Sequence, residues 1–229
     1  MVGPSAGQAV LFNPTAQAET TIGMTPPASI FIARKASARR AVDPDVRALL
    51  REYLAAVHDS ATTRVLEELG LCQGDVRVDV AAVNGELSGY EIKSPSDTLA
   101  RWPKQCRVYS KVVDRAWLVA PERALSRADA PEWWGLIAVF DAGERLGLRV
   151  VRPAQRNPQP DALSIAKLLW RDEALEVLRG AGCARGVMTK SRKVVWKRLI
   201  ESVALDDLRA AVRAALQRRP EMIALGREP

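Results

Sequence analysis

Apolar residues at helical spacing predict several helices in this chain. From residue 46 to 57 they recur at intervals of three and four, and Asp43-Pro44 supplies a helix start because proline is favourable in a first turn. The same spacing predicts a second helix over Thr62–Leu71. Further helices are expected at 103–113 and, briefly, at 121–128.

Alternating apolar and polar residues predict strands at Val76–Val83 and Leu87–Lys93. Asn84-Gly85 lies between them and is a strong hairpin signal. Apolar runs at 116–119, 136–140 and 146–151 predict three more strands. Helices interspersed with strands favour an α/β fold, with a mixed central sheet flanked by helices.

The patterns divide the chain into four regions. Residues 1–43 are rich in Ala, Gly, Pro, Thr and Ser without a period, which predicts a flexible leader in which Met24 is an alternative start. Residues 44–152 form the α/β domain, and the proline-containing segment 153–160 is a linker. Residues 161–229, with helices expected at 161–180, 191–202 and 206–218, form an all-helical module.

Composition narrows the class of protein. The 229 residues are 48% hydrophobic, but no apolar run approaches the ~20 residues of a membrane helix, and no basic residue leads an apolar block at the N-terminus. Three dispersed cysteines fit a reducing cytoplasm, so we predict a cytoplasmic protein without a membrane partner. With a single histidine, any metal here is expected to be a hard cation bound by carboxylates.

Positive charge accumulates towards the C-terminus. The net charge is +7, and residues 180–200 contain no acidic residue. Such a block attracts polyanions such as nucleic acid, although a solvated basic face without a partner is the alternative. The side chains expected to contact phosphates are Arg185, Lys190, Arg192, Lys193 and Lys197.

The predicted hairpin carries the candidate chemistry. Strand alternation puts Glu91 and Lys93 on one face. A strict two-residue turn would put Asp79 opposite Tyr90, whereas one extra residue, in the turn or as a bulge near Gly89, puts Asp79 opposite Glu91. We predict the extra residue. We also expect one apolar face along the first strand, formed by Val76, Val78, Val80 and Ala82.

Two carboxylates beside a lysine are typical of phosphodiester hydrolysis. Adjacent carboxylates repel unless a cation lies between them, and Mg²⁺ or Mn²⁺ suits oxygen ligands. Such an ion polarises a phosphoryl oxygen and lowers the pKa of a bound water, which a lysine can orient. A surface hairpin with a cross-strand ion pair is the alternative.

The order of these residues resembles the PD-(D/E)XK nuclease superfamily from about residue 45 to 120. Asp79 is followed by Glu91-Ile92-Lys93, although valine precedes Asp79 where the pattern has proline. Gln105-Cys-Arg-Val-Tyr109 is similar to the Gln-x-x-x-Tyr motif of the RecB-type branch. The stretch from Thr63 to Ser94 also resembles an uncharacterised bacterial family in this superfamily.

The resemblance implies a restriction-endonuclease-like core and a metal site. Asp79, Glu91 and the backbone carbonyl of Ile92 would bind Mg²⁺ or Mn²⁺, and Lys93 would orient or activate the attacking water. Gln105 and Tyr109, four residues apart on one helix face, would support the site or touch the substrate.

A glutamate from the preceding helix commonly completes the metal site in this superfamily. In the predicted helix, Glu68 lies roughly 105° and Glu67 roughly 155° from the buried direction. Glu68 is therefore nearer the core edge and is our candidate metal ligand and catalytic residue, while Glu67 is expected to point to water.

The C-terminal helices allow two interpretations. A helix, a glycine-containing loop and a Lys-led helix are weakly similar to the SAP-type DNA-binding motif, but Val194, Val195 and Leu199 could instead pack the segment on the sheet. We hypothesise a metal-dependent nuclease acting on DNA, with RNA left open, in repair, mobile-element processing or phage defence. A non-catalytic nucleic-acid-binding module on the same fold and a protein-interaction adaptor are the alternatives.

Overall fold

The computed structural model describes residues 32–35, 43–94, 99–141 and 145–220. The strands are β1 (Ile32–Lys35), β2 (Arg64–Leu71), β3 (Val76–Val83), β4 (Leu87–Ile92), β5 (Arg115–Pro121), β6 (Gly135–Asp141) and β7 (Arg145–Arg152). The helices are α1 (Asp43–Val57), α2 (Trp102–Val112), α3 (Glu122–Leu125), α4 (Ala162–Ala166), α5 (Arg171–Gly180), α6 (Arg192–Ser202) and α7 (Leu205–Arg218). Short 3₁₀ turns lie at Cys72–Gly74 and Leu99–Arg101.

The strands form one mixed sheet in the order β1-β7-β6-β5-β4-β3-β2. The strand β5 runs parallel to both β4 and β6, and the other neighbours are antiparallel. The predicted α/β class with a mixed sheet flanked by helices is therefore confirmed. Most of the predicted leader lies outside the described residues, but Ile32–Lys35 within it forms the edge strand β1.

Helices cover both faces of the sheet. The helix α1 buries its predicted apolar stripe, including Leu49, Leu50 and Leu54, against one face. The other face packs against α2 and the C-terminal helices in one continuous core, to which Trp196 and Leu208 belong. Burial of these large apolar side chains is the main force that joins the layers.

The C-terminal helices are also attached to the sheet by polar contacts. Arg64 donates to the carbonyl oxygens of Leu216 (3.1 Å) and Gln217 (2.8 Å) near the end of α7. Arg209 of α7 forms an ion pair at 3.0 Å with Asp114, and both are buried. Residues 161–220 thus share their core with the α/β part.

Two predicted elements differ from the observed ones. The helix expected over Thr62–Leu71 is wrong, because Arg64–Leu71 is strand β2, paired with β3. The single helix expected at 161–180 is two helices, since α4 ends at Ala166 and α5 begins at Arg171. No helix in the described part of the chain has the length and apolarity that crossing a membrane requires.

Candidate functional site

A polar pocket of about 620 Å³ opens where β3, β4 and the start of α2 meet. Six of the residues predicted for the site line it: Glu68, Asp79, Glu91, Ile92, Lys93 and Gln105. Tyr109 lies beneath, fully buried, with its hydroxyl on Glu91. The structure therefore brings together the residues that the hairpin pattern and the two motifs singled out.

The hairpin register has the predicted extra residue. Val83 pairs with Leu87 and Val80 with Tyr90, so the turn contains three residues, 84–86. The extra residue lies in the turn, and continuation of this register places Asp79 opposite Glu91. The backbone supports the arrangement, because the Ile92 amide donates to Asp79 Oδ2 at 2.7 Å.

The expected apolar face of β3 does not run along the whole strand. Val76 and Val78 belong to the core under α2, but Val80 and Ala82 belong to the core under α1. The prediction of one face is wrong because the strand changes face at Asp79. At this point the β2–β3 pairing passes from Glu67–Val80 to Leu69–Val78 without a pair at Glu68–Asp79.

Glu68 has an unusual backbone conformation at this interruption. Its φ is +55°, in the left-handed region that non-glycine residues rarely adopt. The conformation turns the strand and brings the Glu68 side chain into the pocket, while Glu67 pairs with Arg51 at 2.8 Å outside it. Glu68 rather than Glu67 lines the pocket, as expected, but from a strand and not from a helix end.

Glu91 is the centre of a buried polar network. Its side chain is nearly inaccessible, and Oε1 accepts from Lys93 Nζ at 2.7 Å and from Gln105 Nε2. Gln105 Oε1 accepts from the same ammonium at 2.9 Å. Oε2 accepts from the Tyr109 hydroxyl at 2.7 Å. Hydrogen bonds to charged groups are about twice as strong as neutral ones, so this network fixes both Glu91 and Lys93.

The network also sets the protonation state of Tyr109. Burial raises the pKa of its hydroxyl well above 10, and the negative charges of Glu91 and Asp79 raise it further. Tyr109 therefore remains a hydrogen-bond donor to Glu91 over the whole physiological pH range. Its role in this structure is to hold a carboxylate in place from below.

Cations surround the pocket, and the sequence analysis did not select Arg47, Arg77 or Lys104 among them. Arg47 of α1 contacts both Asp79 and Glu68, and Arg77 Nε lies 3.5 Å from Glu68 Oε2. Arg77, Arg101 and Lys104 line the pocket, and all three are exposed. Arg47 is next to buried Val46, so helical periodicity does place it at the edge of the buried face.

Four carboxylates line the pocket, including that of Asp75. Three of them have a cationic partner within 4 Å among the described residues: Glu68 with Arg47 and Arg77, Asp79 with Arg47, and Glu91 with Lys93. Arg101 and Lys104 add two positive charges to the lining. The pocket thus combines carboxylate oxygens with a surplus of cations, which suits an anionic ligand such as a phosphate group.

The oxygen ligands of the pocket meet only part of what a hard divalent ion requires. In the described ranges, no group of three or more Asp, Glu, His or Cys side chains lies close enough to bind a metal ion. Asp79, Glu91 and Ile92 nevertheless line one pocket. Magnesium commonly uses one or two protein carboxylates and retains several waters, so a cluster of three carboxylates is not required.

The predicted phosphate-contacting residues form a separate surface. Arg185 and Lys190 are exposed in the loop before α6, and Lys193 and Lys197 are exposed on α6. Arg192 stacks on Trp196, with its guanidinium carbon 4.9 Å from the ring centroid. None of the five lines the pocket. Val195 and Leu199 are buried in the core, whereas Val194 is 43% exposed.

Comparisons with known proteins place the chain in a family. Residues 37–223 match the family described as Bacteriophage P4 protein cII, and the chain belongs to that family. No curated protein matches the chain. A solved structure of a protein of unknown function from Silicibacter pomeroyi is similar at 21% identity, with 79% of this chain and 95% of the other covered, and a TM-score of 0.37.

Proposed function

We propose that this protein is a metal-dependent nuclease of the PD-(D/E)XK type, which hydrolyses phosphodiester bonds, with DNA as the expected substrate. One observation carries the proposal: Asp79, Glu91, Lys93 and Gln105 converge on a single open pocket, with Tyr109 bound to Glu91 beneath it. These residues come from two strands and a helix, so their meeting requires the fold as well as the motifs.

The order of elements supports the same proposal. The helix α1 precedes the antiparallel strands β2, β3 and β4, and α2 then leads to β5, which runs parallel to β4. Apart from the additional strand β2, this is the order that the resemblance implies: a helix, a hairpin with the acidic residues and lysine, a helix and a further strand.

The metal ion of this proposal is Mg²⁺ or Mn²⁺. Asp79, Glu91 and the backbone carbonyl of Ile92 are the residues that would bind it. When bound, the ion supplies polarisation of a phosphoryl oxygen and a lowered pKa for a bound water. Glu68 lines the pocket, but its carboxylate contacts Arg47 and Arg77.

The chain's own side chains supply orientation and charge. The Lys93 ammonium, positioned by Glu91 and Gln105, would orient the attacking water and offset negative charge that develops on the phosphate. Arg77, Arg101 and Lys104 at the pocket would attract and position the phosphate backbone.

The basic surface would bind nucleic acid outside the pocket. Arg185, Lys190, Arg192, Lys193 and Lys197 would contact phosphates without reading sequence. Repair, mobile-element processing and phage defence remain the proposed settings. The family takes its name from a bacteriophage protein, which favours the mobile-element setting.

Cleavage assays test the enzymatic proposal. The purified full chain is incubated with plasmid, linear duplex, single-stranded DNA and RNA, in Mg²⁺, Mn²⁺ or EDTA, and with end-capped or open substrates to separate internal from terminal cutting. We expect metal-dependent cleavage that falls by at least about 100-fold in Asp79→Ala and Lys93→Ala. The matched control Glu67→Ala removes a carboxylate outside the pocket and should retain activity.

Two kinds of result would contradict the enzymatic proposal. Cleavage in EDTA, or equal cleavage by Asp79→Ala and wild type, would refute the assigned site. Absence of cleavage on every substrate, with nucleic-acid binding unchanged in both pocket variants, would favour the second candidate function, a non-catalytic binding module. The cations that already pair with Glu68, Asp79 and Glu91 favour this candidate.

Binding assays examine the basic surface separately. Replacing Lys190, Arg192 and Lys193 by glutamine should weaken binding on all sequences and reduce its dependence on salt. Unchanged affinity and salt dependence would contradict a phosphate-binding role for this surface.

A further inference from the structure

Arg47 links the helix α1 to the pocket. Its side chain is only 14% exposed, and it contacts a carboxylate-bearing residue 32 positions later in the chain. Nη1 donates to the Asp79 carbonyl oxygen at 2.7 Å and lies 3.2 Å from Glu68 Oε1, while Nη2 lies 3.5 Å from Asp79 Oδ1. One guanidinium group thus bridges two neighbouring carboxylates.

This arrangement answers an electrostatic requirement at the interruption of the sheet. Two adjacent carboxylates are unfavourable unless a cation lies near both. A guanidinium meets this requirement permanently, because it stays charged at all accessible pH values and offers several donors in a fixed plane. A divalent ion between Glu68 and Asp79 would be repelled by the positive charge of Arg47, and it would have to displace the largely buried Arg47 side chain.

We propose that Arg47 is a built-in cation that takes the place of a second divalent ion between Glu68 and Asp79. The pocket therefore binds one divalent ion, on the Asp79 and Glu91 side, and Glu68 is a partner of Arg47 rather than a metal ligand. This inference rests on the metal site in the proposed function, and it makes Arg47 a positioning residue for Asp79.

Counting bound ions tests the inference without any cleavage measurement. The metal-free full chain is titrated with Mn²⁺, and free Mn²⁺ is followed by electron paramagnetic resonance in the absence of nucleic acid. We expect one ion per wild-type chain and two per chain in Arg47→Gln, since the variant lacks the guanidinium that contacts both Glu68 and Asp79. The exposed Arg77 contacts the other Glu68 oxygen, Oε2, and leaves Oε1 for the second ion. In the double variant Arg47→Gln/Glu68→Gln the count should return to one.

A matched control is available on the same helix. Arg51 lies one turn after Arg47 and pairs with Glu67 outside the pocket. Arg51→Gln therefore removes the same charge from the same helix and should still bind one ion. A merely structural role for Arg47 would change the melting temperature of the variant but would not change the number of ions.

Several outcomes would overturn the inference. A wild-type count of none or two does so without any variant, so the test does not depend on how Arg47→Gln folds. A count of one in a folded Arg47→Gln, verified by its circular dichroism spectrum, also overturns it.

Failure of the two proposals can be distinguished. The expected counts without cleavage of any nucleic acid would count against hydrolysis alone. Two ions in wild type together with metal-dependent cleavage would count against the role of Arg47 alone.

Discussion

Removing the Tyr109 hydroxyl tests whether the buried network around Glu91 stabilises the fold. Tyr109→Phe keeps the ring, which packs 5.4 Å from the Trp134 ring, and deletes only the donor to Glu91 Oε2. Both Tyr109 and Glu91 are almost fully buried, so water cannot easily replace the lost donor.

The structure gives the size of the expected effect. The lost hydrogen bond joins a neutral donor to a carboxylate at 2.7 Å, and bonds to charged groups contribute about 1.5–3 kcal/mol. Lys93 and Gln105 remain on Oε1, so Glu91 keeps part of its stabilisation. We therefore expect the free energy of unfolding to fall by about 1.5–3 kcal/mol, and the melting temperature by about 3–12 °C.

Urea and thermal unfolding of the full chain measure this change, and Tyr53→Phe is its matched control. The Tyr53 hydroxyl is buried without a hydrogen-bond partner in the described part of the chain. Its removal should leave stability unchanged within about 0.5 kcal/mol, or raise it, because no bond is lost. Equal effects of the two variants, or a loss below about 0.5 kcal/mol in Tyr109→Phe, would refute the reasoning.

Three further predictions concern packing, pH and a loop. Gly135→Ala should lower the free energy of unfolding by about 1–3 kcal/mol or more, because the added Cβ would lie 2.1 Å from Trp117 Cε3. In the control variant Gly85→Ala the added Cβ meets open space, so the stability measured by urea unfolding should not change. Burial lowers the pKa of His58, the only histidine, below 6.5. The folded state favours the neutral imidazole, so the stability that His58 contributes is present above pH 6.5 and is lost as the pH falls below this value. An NMR titration of the single imidazole checks the direction of the pKa shift. Asn157→Ala should lower the free energy of unfolding by about 1–3 kcal/mol, because the buried Asn157 Nδ2 donates at 2.8 Å to two carbonyl oxygens at the end of α2. A melting temperature equal to that of the wild type would contradict this expectation.

The sequence predicts the elements well where burial follows a regular period. The helix α1 buries one side only, so its apolar residues keep helical spacing. The hairpin of β3 and β4 follows from alternation and from Asn84-Gly85. The requirement that Asp79 meet Glu91 correctly predicts one extra residue, which lies in the turn and not in a bulge near Gly89. The pocket residues of the hairpin, Asp79, Glu91 and Lys93, could therefore be chosen from the sequence.

The strand β2 shows why the same reasoning fails nearby. Its buried residues are Leu66, Leu69 and Leu71, and the interval of three between the first two imitates a helix. The interval arises because the strand changes face at Glu68, where φ is positive. A period analysis assumes a uniform backbone, so one left-handed residue is enough to convert a strand pattern into a helical one.

Long-range contacts explain the remaining omissions. Nothing local marks Arg47 as a partner of Asp79, because the two are joined only when α1 packs on the sheet. In the same way, the segment at 153–160 reads as a linker, yet Asn157 is buried and hydrogen-bonded to the end of α2. Such contacts depend on the assembled layers and leave no periodic signal in the chain.

The change of face at Glu68 and Asp79 also connects the fold to the candidate chemistry. A strand with unbroken alternation would keep Val78 and Val80 in one core. In this chain the two belong to different cores, so Asp79 lies at the junction between the layer of α1 and the layer of α2. From that junction Asp79 contacts Arg47 of α1, while Glu91 contacts Gln105 and Tyr109 of α2. The irregularity that defeats the periodic prediction is therefore the feature that lets both helices contribute to one pocket.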